Sequence, residues 1–198
     1  MNVSAFEILD NGHILLAFAA NQSIPGVGTV APHDVVRFIP TSTGNNTTGS
    51  FQAHFDGSAF QLTAGGEKID GLGLLSDGRL AISVTGAAAV TRPNDQALKA
   101  QDEDALGFNI DLLRWSEFFD GTPIPGMKAE DVNALWVNPA TGELYITLAS
   151  AFNLSGVKRD AKDIVKLTPN GSGYTPSLFW DGSAAGFPAN LDGLEVVP

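Results

Sequence analysis

The tetrapeptide Phe55-Asp56-Gly57-Ser58 returns as Phe119-Asp120-Gly121-Thr122 and again as Trp180-Asp181-Gly182-Ser183, so one structural unit is written three times in this chain. The aromatic positions 55, 119 and 180 lie 64 and then 61 residues apart. That is the length of a supersecondary unit too small to bury its own apolar face. Two further markers keep step. Asn11-Gly12, Asp77-Gly78 and Thr141-Gly142 mark one turn, and Asp34-Val35-Val36-Arg37-Phe38, Asp104-Ala105-Leu106-Gly107-Phe108 and Asp163-Ile164-Val165-Lys166-Leu167 mark one strand. The copies span 3–66, 67–129 and 130–188 of a single repeat domain. The end of the chain, Asn190-Leu191-Asp192-Gly193-Leu194, repeats the opening of the second copy, Lys68-Ile69-Asp70-Gly71-Leu72, so 189–198 reads as the start of a fourth.

Each copy divides into four short apolar stretches bounded by turn residues. In the third copy these are Ala134–Val137, Glu143–Leu148, Asp163–Leu167 and Tyr174–Trp180. The second has Gly71–Leu75, Arg79–Val84, Asp104–Phe108 and Leu113–Phe119, and the first Ala5–Leu9, His13–Phe18, Asp34–Ile39 and Ser50–Phe55. Only Gln96–Glu103 reads as a helical turn. The predicted class is all-β: three propeller-blade-like repeats of four antiparallel strands, with the C-terminal segment as a thirteenth strand. Three blades fall below the roughly four to eight of most propellers. A thirteenth strand could complete a blade in a second copy, making a six-bladed ring from a homodimer, because an unpaired edge invites association.

With 43% hydrophobic residues the chain can fill a core, and its 22 acids against 11 bases leave a net charge of -11. That balance argues against nucleic acid and against anionic membrane surfaces, which both need clustered Lys and Arg. It leaves cations, small-molecule ligands or another protein as partners. Cysteine is absent, which removes disulfides and thiolate chemistry. No leader precedes the first strand near Val3, so the expectation is a trimmed start or a segment of a longer chain.

Strand order turns the repeat into a site hypothesis. In an up-and-down unit the first-strand entry, the long loop between second and third strands, the third-strand entry and the Asp-Gly exit share one rim. That rim is acidic, and the opposite one has only short turns. At the exits, Asp56, Asp120 and Asp181 are expected to hold their turns by accepting amides two residues on, with glycine supplying a positive φ. At the third-strand entries Asp34, Glu103, Asp104 and Asp163 are candidate ligand-binding residues, the alternative for the aspartates being that they tie down the long loop. At the first-strand entries Asp70, Asn133 and Asp192 would bring one oxygen per copy toward the axis. Converging carboxylate and amide oxygens suit Ca²⁺, a hard cation that takes six to eight oxygens.

Among three histidines, all in the first copy, His33 precedes Asp34 on this rim and is the candidate general base. His54 stands where the other copies have Phe118 and Phe179, a packed position, and His13 follows the short turn. The long loop Thr85–Glu103 reads as a lid or as a contact with a neighbouring subunit.

With these markers lined up, the chain resembles the β-propeller-like repeats of bacterial secreted and surface proteins, over nearly its whole length. The resemblance implies an extracellular, periplasmic or cell-surface location. The inner-strand oxygens are also similar in kind to those of calcium-dependent lactonase and paraoxonase-like propellers, in which such a metal polarises an ester carbonyl. The expected function is a repeat protein that binds a cation, and a ligand or partner, on its acidic rim. The alternatives are a calcium-dependent ester or lactone hydrolase on the same rim, and a purely structural assembly module.

Overall fold

The computed structural model describes residues 1–154 and 157–196. The first copy runs β1 (Val3–Ile8), β2 (Ile14–Phe18), the small hairpin β3 (Gln22–Ile24) and β4 (Gly28–Val30), then β5 (Val35–Ser42) and β6 (Thr48–Phe55), followed by a 3-10 turn over Ser58–Phe60. The second repeats this as β7 (Ile69–Leu74), β8 (Leu80–Val84), β9 (Ala88–Thr91), β10 (Ala97–Ala100), β11 (Ala105–Asn109) and β12 (Arg114–Phe119). The third has β13 (Val132–Val137), β14 (Leu144–Leu148), β15 (Phe152–Leu154), β16 (Val157–Arg159), β17 (Ile164–Pro169) and β18 (Tyr174–Trp180). The result is three four-stranded antiparallel sheets, ordered β1-β2-β5-β6, β7-β8-β11-β12 and β13-β14-β17-β18. No α-helix occurs among the described residues.

Each long loop carries a two-stranded hairpin, which four apolar stretches per copy did not foretell. The expected helical turn at Gln96–Glu103 is instead β10, paired with β9 from Ala97↔Thr91 to Ala100↔Ala88. Leu98 and Ala100 are buried and Gln96 and Lys99 exposed. Period-two burial therefore overrides the helix propensity of Ala, Leu, Lys and Gln. The same hairpin corrects the lid reading of Thr85–Glu103. Ala88, Val90, Leu98 and Ala100 belong to the main core, and Arg92 donates to Glu117 on β12 at 2.9 Å.

The core lies between sheets. One cluster joins the first two copies through Leu15, Val35, Phe55, Leu72, Leu80, Ile82, Phe108 and Trp115. The other joins the second and third through Ala81, Phe119, Leu135, Val137, Leu144, Ile146 and Val165. Along β8, Leu80 and Ile82 face the first cluster and Ala81 the second, so every residue of that strand is buried. A sheet covered on both faces needs apolar residues at consecutive positions, and that is how β8 reads. Phe55, Phe60, Phe108 and Trp115 pack with ring centroids 4.7 to 5.9 Å apart, and the Trp115 indole donates to Phe60 O at 2.8 Å. Gly71 and Gly73 leave room on β7 for Leu135: a Cβ at Gly73 would sit 2.8 Å from it.

The expected thirteenth strand does not form, since residues 189–196 have no strand pairing. The tail begins as a first strand would. Leu191 N–H donates to Ala161 O at 2.9 Å, as Ile69 N–H does to Pro32 O at 3.0 Å and Val132 N–H to Asp102 O at 2.9 Å. It then meets β1 through side chains: Ile8 N–H donates to Glu195 Oε2 at 3.2 Å, and Gly193 lies against the Phe6 ring. Among the described residues the segment pairs with no strand.

Candidate functional site

At the third-strand entries one aspartate does the same work three times. Asp34 accepts from Ala31 N–H (2.7 Å) and Gly57 N–H (3.0 Å), Asp104 from Gln101 (2.8 Å) and Gly121 (2.9 Å), and Asp163 from Asp160 (3.2 Å) and Gly182 (3.1 Å). One carboxylate thus closes its own turn and ties the aromatic-Asp-Gly exit of the same sheet. Both oxygens are committed to backbone amides, which makes these residues braces. Glu103 is buried, accepts from Thr122 Oγ1 at 2.9 Å, and has its carboxyl pushed up by burial.

We expect Asp104→Asn, which turns an amide NH₂ against a backbone N–H, to cost about 2 kcal/mol. A thermal melt should fall by roughly 4–8 °C. Asp120→Asn is the control. That residue is exposed and its Oδ1 accepts only from Thr122 N–H, at 3.0 Å, so the melt should hardly move.

The exit glycines differ from the expectation of positive φ. Gly57 has φ -61° and ψ -35°, and Gly121 and Gly182 are likewise absent from the positive-φ residues. All three are buried, and a Cβ would overlap the carbonyl oxygen of His33, Glu103 or Lys162. Close approach selects glycine here. At the short turns, Gly12, Gly78 and Gly142 do have φ of 76°, 83° and 70°, and no neighbouring backbone crowds them. The exit aspartates cap as expected, though with different reach: Asp56 accepts from Ala59 N–H, Asp181 from Ala184 N–H and Asp120 from Thr122 N–H.

The first-strand entries are β-bulges. Register shifts fall between Val3 and Ala5, Ile69 and Gly71, and Val132 and Ala134, which singles out Ser4, Asp70 and Asn133. A bulge re-aims a side chain, and two of these turn to the next copy. Ser4 Oγ donates to Ile69 O at 2.7 Å and Asn133 Nδ2 to Leu191 O at 2.7 Å. At the second joint Asp70 accepts from Ser83 Oγ at 2.7 Å, and that hydroxyl also lies 3.1 Å from Val132 O. Asn133 thus presents a donor to the backbone, and Asp192 is exposed. The described residues hold no group of three or more acidic, imidazole or thiol side chains arranged to ligate a metal.

Asp70 has a partner that the sequence reading passed over. It is 4% exposed, its Oδ2 has no hydrogen-bond donor, and Asp131 Oδ1 is likewise buried without one. Burial first, and the neighbouring Asp131 charge second, push Asp70 well above the ordinary carboxylate range. Asp131 rises to about 6 through burial and the charge of Asp102. Loss of water and the neighbouring Asp131 charge make Asp70 costly to ionise, so this carboxyl keeps its proton beyond the ordinary range. The visible signal was Asp131-Val132-Asn133, where the second copy has Lys68-Ile69-Asp70.

The histidines scatter over the first copy. His33 lies half-buried with its carbonyl against Gly57, His13 Nδ1 accepts from Arg37 Nε at 2.8 Å, and His54 is half-buried, its pKa lowered by burial and then by Arg37.

The short-turn end, opposite the acidic rim, carries a cleft of about 440 Å³. The C-terminal ends of all three first strands meet there, with the tail as its fourth wall: Ile8 to Asp10, Leu74 to Ser76, Trp136 and Val137, and Glu195. Glu7 is 5% exposed, and its Oε2 has no partner. Burial, then Glu195, raises its carboxyl from 4.5 to about 8. In the other copies this position is Gly73 and Trp136. The overlooked signal was an acid in phase with buried Ala5 on an alternating strand.

The fold and these joints define an all-β repeat protein of three like four-stranded sheets. No protein-family model and no curated protein match the chain. Among solved structures it is similar to one titled "Structure of YjhT", with 14% identity and a TM-score of 0.36, over 87% of this chain and 44% of that chain. The chain therefore spans less than half the length of that neighbour.

Proposed function

We propose that this chain is a propeller-type repeat module that works by binding, and that it takes up a calcium-type cation at the joint between its second and third sheets. One observation carries the reading: Asp70 Oδ2 and Asp131 Oδ1 are both buried and have no donor. Ser83 Oγ, 2.7 Å from Asp70 Oδ1, and Val132 O, 3.1 Å from that hydroxyl, add two more oxygens at this joint, the atom type a hard cation takes. Asn133 and Asp192 fall outside this set. Below about pH 6 a proton neutralises the pair. Asp70 is held protonated well above the ordinary carboxylate range, and a divalent ion that takes the place of its proton offsets the charge left on the pair.

Isothermal titration of CaCl₂ into EDTA-treated protein at pH 8 should show one ion per chain, with a Kd on the order of 10⁻⁴ M. Binding should weaken steeply at pH 5 and vanish in Asp70→Asn and Asp131→Asn. Absence of uptake at pH 8, or unchanged uptake by both variants, overturns the assignment.

A propeller-type arrangement is part of this reading. Consecutive first strands pack β1 on β7 and β7 on β13, and the tail enters where a fourth would stand. Its return to β1 of the same chain supports closure within one protomer over a six-bladed homodimer. The acidic surface and the resemblance to secreted repeats support an extracytoplasmic setting. Ester or lactone hydrolysis is the second reading. The Ile69 N–H to Pro32 O bond puts His33 one residue from the strand entry that carries Asp70. Turnover of a γ-lactone, abolished by EDTA and by His33→Ala, would convert the binder into an enzyme.

A further inference from the structure

The cleft at the short-turn end is a second, independent site. Its charged lining residues are Glu7, Asp10 and Glu195, and no Lys, Arg or His lines it. Its walls are apolar: Leu9, Leu74, Leu75, Trp136 and Val137. Glu195 has a partner, accepting from the Ile8 amide at 3.2 Å. Glu7 differs: its Oε2, in a side chain almost wholly buried, faces no donor. Burial first, and then the Glu195 charge, hold the Glu7 carboxyl in its neutral form. A buried carboxyl oxygen without a donor is costly unless something brings one.

We propose that this cleft binds a small organic cation with an ammonium or guanidinium head, Glu7 and Glu195 supplying the counter-charge and the Trp136 indole and the aliphatic walls its apolar contact. A cationic head brings several N–H donors to Glu7 Oε2, and the Trp136 indole, which lines the same cleft, is a side chain that attracts such a charge. A cleft of about 440 Å³ admits a head with a short alkyl chain. A hydrated metal ion is disfavoured by the apolar walls and the small number of free oxygens. Because Glu7 stays protonated until a cation arrives, binding at neutral pH expels its proton. The groups that set this titration are Glu195 on the tail and Asp10 after β1, with only neutral residues facing from the second and third copies. The site lies at the opposite end of the first strands from the calcium joint, so either can fail alone.

The test is calorimetric titration of the intact chain with butylguanidinium, in phosphate and in Tris. At pH 8 the wild type should bind with a Kd on the order of 10⁻⁴ M. Affinity should fall about tenfold per pH unit toward pH 6, and close to one proton should be released at pH 7. Glu7→Gln should weaken binding at least tenfold. Glu195→Gln, at a less buried position, should weaken it at least threefold and guards against a folding defect in the first variant. Matching affinity for acetyl-Gly-Arg-Gly-amide assigns the cleft to an arginine displayed by a partner protein, and binding of butylguanidinium alone assigns it to a free small cation; both support the site. Three outcomes overturn it: no binding at pH 8, both variants binding like wild type, or 1-butanol binding as well as the cation.

Discussion

Gly121→Ala should lower stability by about 3 kcal/mol or more, and a thermal melt by roughly 6–12 °C. The added methyl has nowhere to go. Gly121 is buried, and its Cβ would overlap Glu103 O and crowd the Glu103 side chain. Both belong to the third-strand entry that Asp104 ties to the Gly121 amide at 2.9 Å. Relief means pulling the exit turn off its brace, which also breaks that bond. Gly78→Ala makes the comparison informative. That residue has φ 83° with nothing within 4 Å of a Cβ, so alanine pays only the left-handed conformation, about 1 kcal/mol. Chemical denaturation of the two variants should give clearly unequal losses. Equal losses would mean that backbone conformation, and not the approach of the third-strand entry, selects glycine in the Asp-Gly phrase.

The second large effect is in the pH dependence of stability. Glu7 has a folded value of about 8 against 4.5. A raised folded pKa means that the native state holds the proton more tightly than the unfolded chain. Its stabilisation is complete below about pH 4.5 and is lost as pH rises through 8. The shift corresponds to a ceiling of about 5 kcal/mol. Asp70, Asp131 and Glu195 are raised as well and act in the same direction. Without bound cations, stability should therefore decline from pH 5 to pH 9. Glu7→Gln fixes this position in a neutral form of the same shape. It should match the wild type near pH 5 and exceed it by several kcal/mol at pH 9, measured by urea denaturation at each pH. Parallel curves for the two proteins would show that Glu7 is ionised in the native state across the range.

The repeated residues were the legible ones. Asp34, Asp104 and Asp163 recur because each solves the same local problem, tying a turn to an exit. A problem solved within one copy leaves its solution at a fixed spacing in the chain. Four apolar stretches per copy were readable for the same reason, since each strand pairs with neighbours of its own sheet. The hairpins β3–β4, β9–β10 and β15–β16 were not, because their short strands take buried positions from packing on the sheets. The thirteenth strand was over-read: Leu191 repeats the backbone contact of Ile69 and Val132, but a strand also needs a partner, and the sequence motif does not carry one.

The candidate sites were legible only in part. Asp70 was singled out, while its partner Asp131 belongs to another copy and meets it across a joint. Glu7 was passed over because it breaks the repeat, standing where the others have Gly73 and Trp136. Its mate Glu195 comes from the far end of the chain, 188 residues away.

From its residues alone this protein is all-β and threefold repeated, with four-stranded antiparallel units braced by aspartate, because hydrogen-bonded turns and alternating burial act over a few residues and print a period. Which carboxyls lose water, and which of them face each other, was decided by tertiary structure. Desolvation and charge coupling depend on what packs alongside, and at both sites the neighbour comes from a different copy or from the tail.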